Sequence, residues 1–204
     1  MTTAEDRRPV VAGLLLAAGG GRRLGGRPKA LLEHRGRPLV EHAVGVLRAA
    51  GCEVVHVVIG ASAGVVRERA ELAGCVVVEN PGWAEGMGSS LRVGLASLEA
   101  DGRGVDAALV LLVDQPGIGA EAVARVRAAY GSRDSLVAAS YDGQRGHPVL
   151  FGAGHWAGIA AGAVGDRGAR DYLAAHRDAI TPVDCSDVAE PYDIDTEADL
   201  AHLE

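Results

Sequence analysis

Residues 9–17 (PVVAGLLLA) form an unbroken apolar run, and after Ala18 a cluster of glycines bounds it. A strand with no polar face must be buried on both sides, which is the habit of strands in a parallel sheet covered by helices. The rest of the chain supplies the partners that such a sheet needs. Residues 38–50 (PLVEHAVGVLRAA) space their apolar side chains at helical intervals, with Pro38 at the start and Gly51 just past the end. A strand at 53–59, a helix around 64–72, a short strand at 75–79, a helix at 88–98, a strand at 107–113, a helix at 120–129 and a strand at 135–140 follow. This alternation predicts an α/β fold, a Rossmann-like, doubly wound and mostly parallel sheet with right-handed crossovers. The last third is less regular. The turn-rich stretch 141–146 and the apolar run 147–151 predict a small hairpin or edge insertion. A short terminal helix is expected from Thr196, with Asp195 or Thr196 as its cap.

Composition narrows the class. With 204 residues and no repeat or linker, residues 1–204 read as a single domain. Apolar residues make up 48% of the chain but include one Phe and two Trp, so the core is built from small aliphatics. No window approaches the roughly 18 apolar residues of a membrane span, and residues 1–9 are too polar for a signal peptide. A soluble cytoplasmic protein with no membrane partner is expected. The net charge of −7 argues against nucleic acid as a partner, since phosphate neutralisation needs clustered Lys and Arg. Cys52, Cys75 and Cys185 fit neither a disulfide framework nor paired zinc ligands.

Residues 16–29 (LAAGGGRRLGGRPK) hold five glycines, three arginines and Lys29. In an open parallel sheet, ligands bind at the carboxyl ends of the strands, where this loop begins. Glycine backbone can approach a phosphate closely, and Arg22, Arg23 and Lys29 can neutralise it. The dinucleotide fingerprint fails, because Gly19 and Gly21 are followed by Leu24, and no Gly-Lys-Ser/Thr closes a P-loop. The loop therefore predicts an anion cradle of another kind.

The order LAAGGGRRLGG followed by Pro28-Lys29 resembles the signature of nucleotidyltransferases with a Rossmann-like, nucleotide-diphospho-sugar transferase type of fold. That resemblance implies that Ala17, Ala18, Gly19, Gly20 and Gly21, with Arg22 and Arg23, cradle a nucleoside triphosphate. Lys29 would steady its α-phosphate. Residues 80–95 (NPGWAEGMGSSLRVGL) resemble a segment of molybdenum cofactor cytidylyltransferase-like proteins, which implies CTP as donor and molybdopterin, a phosphorylated pterin, as acceptor. In that segment Gly86 and Met87 can present backbone to a base, while Ser90 or Ser89 either offers it a hydroxyl or caps the helix. Trp83 reads as packing beneath the loop.

Asp114, at the end of the strand 107–113 and before Gln115-Pro116, is placed for Mg²⁺, which takes one or two protein carboxylates plus phosphate oxygens. It also resembles the aspartate of the family's DxP motif. Residues 193–196 (DIDT) resemble a further stretch of these proteins. Alternation puts Asp193 and Asp195 on one side with Ile194 turned away, so Asp195, with Asp193 beside it, is the expected complement of the metal site. The segments 145–149 and 165–170 resemble acceptor-binding elements. There His147 either bonds the acceptor or is structural, and Asp166 is a candidate.

The reaction implied is in-line attack of an acceptor phosphate on the α-phosphorus with loss of pyrophosphate, in which Lys29, Arg23 and Asp114 carry the catalysis. Three rivals stand beside it: transfer of GMP or UMP, a nucleotide-binding module without catalysis, and a dehydrogenase, which the broken fingerprint disfavours.

Overall fold

The computed structural model describes residues 7–203; most of the polar N-terminal stretch read as no signal peptide lies outside the described residues. Strand β1 (Val11–Ala17) is buried along its whole length, as its composition requires. Hairpin strands β2 (Glu33–His34) and β3 (Arg37–Pro38) follow, then helix α1 (Leu39–Ala49), strand β4 (Val55–Ile59), helix α2 (Ala63–Arg69) and strand β5 (Val76–Glu79). Helix α3 (Met87–Glu99) leads to strand β6 (Ala107–Leu112), helix α4 (Ala120–Ala128) and strands β7 (Leu136–Tyr141) and β8 (Gln144–Gly152). Helices α5 (Trp156–Gly162) and α6 (Arg170–Ala175) and strand β9 (Ile180–Asp184) complete the set.

Seven strands form one sheet in the order β5-β4-β1-β6-β8-β7-β9. Side chains alternate across β1. Val11, Leu15 and Ala17 pack with α1 and α4, whereas Ala12, Leu14 and Leu16 pack with α3, Trp156 and Ile159 of α5, and Leu173 of α6. Helices therefore cover both faces, and the doubly wound expectation holds. No helix among the described residues is long and apolar enough to cross a membrane.

Three local expectations change. The run 147–151 does not sit at an edge: β8 lies between β6 and β7, antiparallel to both. Its Val149, Leu150 and Phe151 are apolar enough for a position inside the sheet, and the turn at Asp142 and Gly143, both with positive φ, closes the hairpin tightly. The edge is instead β9, which pairs with β7 and carries Pro182, a residue that an edge strand tolerates. The terminal segment Glu197–Leu203 is a 3-10 helix, and at its start the Thr196 hydroxyl donates to Asp199 rather than accepting from a backbone amide. Asp199 Oδ2 instead accepts from the amides of Asp195 and Thr196, at 3.0 and 2.7 Å, and from the Thr196 hydroxyl at 2.8 Å.

A half-buried Ser97–His56–Asp101 chain ties β4 to α3, with the buried His56 placing Nδ1 2.7 Å from Ser97 Oγ and Nε2 2.9 Å from Asp101 Oδ2. None of the three lines the large cleft, so this trio is a brace of the fold.

Candidate active site

Strands β1 and β6 are neighbours, yet the chain leaves β1 toward β4 on one side and leaves β6 toward β7 and β8 on the other. Their carboxyl ends are thus the switch point at which open α/β sheets bind ligands. Register pairs Leu16 with Leu112, so the glycine loop opens beside Asp114. A cleft of about 1330 Å³ lies above, bounded by that loop, the start of α3, the β7–β8 hairpin, α6 and residues 191–195.

The loop is shaped for an anion. Gly21 adopts φ 58°, and a β-carbon there would stand 2.0 Å from the Arg27 carbonyl oxygen, so only glycine fits. Its own carbonyl accepts from the amides of Leu24 at 2.8 Å and Gly26 at 3.0 Å, which curls the loop back. The amides of Gly19, Gly20 and Gly21 have no hydrogen-bond partner among the described residues. Arg22 and Arg23 are exposed at the rim. Trp83 packs where a side chain on Gly20 would stand, 2.8 Å from its β-position, in keeping with the packing role expected of it.

Lys29 reaches under the loop to two carboxylates from distant parts of the chain. Its Nζ donates to Asp114 Oδ2 at 2.6 Å and to Asp195 Oδ1. Arg23 stands 4.0 Å from the other oxygen of Asp195. Burial works against the ammonium, but Asp114 and Asp195 outweigh it and hold the Lys29 pKa above the ordinary lysine value. Burial likewise pushes the Asp114 carboxyl above the usual range; Lys29 opposes this, and the charges of Asp193 and Asp195 add to it. One ammonium is shared among crowded carboxylates.

Alternation in the segment 193–195 is as expected: Ile194 is fully buried, and both aspartates face the cleft. The Ile194 amide donates to the Asp114 backbone carbonyl at 2.9 Å, clamping the two acidic segments together. Asp193 is engaged differently from Asp195. Gln115 Nε2 donates to its Oδ1 at 2.8 Å, a contact that sequence reading missed because nothing in the local pattern links residues 78 apart.

The segment before α3 is also braced. Asn80 Nδ2 donates to Ser89 Oγ at 2.8 Å and Ser90 Oγ at 3.0 Å, and the Ser89 hydroxyl faces the carbonyls of Gly82 and Gly86. Neither serine caps the helix; Gly86 stands at that position. Ser90 lines the cleft with Gly86 and Met87, whereas Ser89 does not. Gly86, at φ 111°, touches the loop 163–168, since a β-carbon there would lie 2.5 Å from Asp166 Oδ1.

His147 lines the far wall together with Arg145, Arg170 and Asp166. Burial pushes its imidazole down to about 4, and Arg145 adds repulsion, so it is neutral at pH 7. The Tyr141 hydroxyl donates to the His147 carbonyl at 2.7 Å and fixes the hairpin wall.

Comparison with known proteins agrees with this architecture. The chain is 40% identical over 201 residues to the nicotine blue oxidoreductase of Paenarthrobacter nicotinovorans, covering 96% of this chain and 97% of that one. It is 28% identical over 138 residues to the molybdenum cofactor guanylyltransferase of Shewanella amazonensis, covering 68% and 66%. Among solved structures, the manganese complex of Rv0371c from Mycobacterium tuberculosis H37Rv superposes with a TM-score of 0.74 at 28% identity, covering 95% of this chain and 97% of that one. The MobA-like NTP transferase domain model matches residues 13–180, which include the glycine loop, Lys29 and Asp114, and the chain therefore belongs to that nucleotidyltransferase family.

Proposed function

We propose that the protein moves a nucleoside monophosphate from a nucleoside triphosphate to a phosphorylated acceptor of the molybdopterin type and releases pyrophosphate. The observation that carries this reading is the meeting of Lys29, Asp114 and Asp195 beneath a loop of unpaired glycine amides. An acceptor phosphate oxygen forms the new bond to the α-phosphorus, and the bond from that phosphorus to the bridging oxygen of pyrophosphate breaks. The acceptor is already a nucleophile, so the protein's part is to position two polyanions and stabilise charge. Gly19, Gly20 and Gly21 bind the triphosphate through their amides, Arg22 and Arg23 offset its outer charge, and Lys29 serves the α-phosphate. Gly86, Met87 and Ser90 lie where the base would be read. Arg145, His147 and Arg170 lie where the acceptor would enter, with His147 a neutral hydrogen-bonding group.

Asp114 and Asp195 fit a divalent cation as a pair of carboxylates that leaves the remaining positions to phosphate oxygens. No cluster of three or more His, Cys, Asp or Glu side chains at metal-binding spacing occurs among the described residues, so Asp193, held by Gln115, is better cast as a neighbour than as a ligand. Such a cation supplies neutralisation of the transferring phosphate. Mg²⁺ is the expected ion, and the manganese of the mycobacterial neighbour supports a divalent cation in general. For the base, the Shewanella relative's name puts GTP first among donors to test, ahead of the CTP implied by residues 80–95.

A pyrophosphate-release assay with Mg²⁺, the four nucleoside triphosphates in competition, and molybdopterin or sugar phosphates as acceptors tests this reading. Release that requires both one nucleotide and molybdopterin is the expected result. No release with any pair would overturn it.

A second reading follows from the 40% identity to an oxidoreductase along nearly the whole chain. The same loop of free amides and arginines could hold the pyrophosphate of a nicotinamide dinucleotide, although the GxGxxG spacing is absent. Oxidation of a reduced nicotinamide with nicotine blue as acceptor, without pyrophosphate release from any triphosphate, would favour it.

A further inference from the structure

Of the 20 Lys and Arg residues in this chain, Lys29 alone is a lysine. Everywhere else, a positive charge is a planar guanidinium suited to fixed, forked contacts. The one compact ammonium on a flexible stem stands between Asp114 and Asp195, with its side chain 13% exposed. Those are the two carboxylates that the proposed function gives to a divalent cation, and this inference rests on that reading. The ammonium bonds one oxygen of each. A divalent cation taking those oxygens would meet a positive charge in its own position, and both cannot stay. The arrangement also leaves the ammonium turned down toward the carboxylates, whereas its proposed task is at the phosphates bound by the loop.

We infer that Lys29 and the divalent cation compete for Asp114 and Asp195, so that cation binding releases the ammonium to the donor phosphates. Lys29 is thereby both the counter-ion that keeps the acidic pair together and the group handed over when the site loads. The exchange moves the ammonium without deprotonating it. It couples cation loading to donor engagement, because the side chain can serve only one of the two. An arginine at position 29 would bridge the carboxylates through its fork and leave them less readily.

Two measurements on the full chain test this, both without nucleotide. In the first, Mn²⁺ binding is titrated by the loss of the free-ion electron paramagnetic resonance signal. Removing one unit of positive charge beside a divalent ion is expected to tighten binding in Lys29→Met by about tenfold over wild type. Lys29→Arg should bind no more tightly than wild type, and Asp114→Asn should bind more weakly. Lys29→Met binding with wild-type or lower affinity, while Asp114→Asn still loses affinity, would sink the exchange and leave the cation site standing. Unchanged binding in Asp114→Asn, or none in any variant, would overturn the cation site and the exchange together. In the second, which needs no variant, the single lysine is acylated with an amine reagent and followed by peptide mass spectrometry. Mg²⁺ should speed acylation of Lys29 several-fold relative to the α-amino group; an unchanged or slower rate would overturn the release.

Discussion

Asp114 and His147 line the same cleft, and burial moves their pKa values in opposite directions, up for the carboxyl and down for the imidazole. Burial raises the Asp114 pKa and Lys29, 2.6 Å away, opposes that rise, so Asp114→Asn keeps the shape of the side chain and removes only the carboxylate that the proposed reaction needs. Asp114→Asn is expected to lower pyrophosphate release by at least about a hundredfold, in the range for loss of a single charge-stabilising group, with melting changed little. Turnover near wild type would end its assignment to the reaction. His147 is neutral because burial depresses its pKa to about 4, below the roughly 6.5 of an unfolded chain. The unfolded state then binds the extra proton first. The contribution of His147 to stability is therefore fully present above about pH 6.5 and is lost as the pH drops through that window toward about 4. Melting curves at pH 7.5 and 4.5 should show a smaller acid-induced drop for His147→Gln than for wild type; equal drops would remove His147 from the account.

At the scale of elements, the site depends on two loops pressed against each other without side chains between them. The start of α3 touches residues 163–168 through Gly86 and Gly88, where β-carbons would fall 2.5 Å from Asp166 Oδ1 and 2.8 Å from the Ala163 carbonyl group. Gly86 also holds φ 111°, which an L side chain rarely adopts. Gly86→Ala should cost about 1–3 kcal/mol through strain. It should also raise KM for donor and acceptor together, because it separates the segment proposed to read the base from the wall proposed to receive the acceptor. A change in only one KM, measured by steady-state kinetics, would mean that the two loops act independently. The β7–β8 hairpin teaches a related lesson. Its run was legible as a hairpin from the turn residues and the apolar stretch, but its place inside the sheet came from pairing with β6, a partner far away in the chain.

At the scale of the whole molecule, the far end of the chain completes the site. The family match ends at residue 180, whereas Asp195 reaches Lys29 across 166 positions. Ile194, with no exposed surface, anchors the segment that carries it, and the Ile194 amide locks it to Asp114. Ile194→Ala should destabilise the protein by about 2–5 kcal/mol, as large-to-small changes in cores do. It should also reduce activity more than an equally destabilising core substitution such as Leu109→Ala in β6. Matched activity losses at matched denaturation midpoints would show that Ile194 serves stability alone.

The sequence by itself determined the class of fold and the chemistry on offer. An apolar run before a glycine loop reads as an interior strand whose carboxyl end opens into a turn, and the identities of Lys29, Asp114 and Asp195 mark charge handling, because these signals are local and need no partner to be read. Tertiary structure decided which of those charges meet. Lys29, written as a phosphate ligand, is found between two carboxylates; Asp193, written as a possible metal ligand, is tied to Gln115; Ser89, written as either a base contact or a cap, answers to Asn80. The reason is physical. A side chain of several ångströms has many partners within reach once the sheet has brought distant strands together, and local periodicity carries no record of which one the packing will put there.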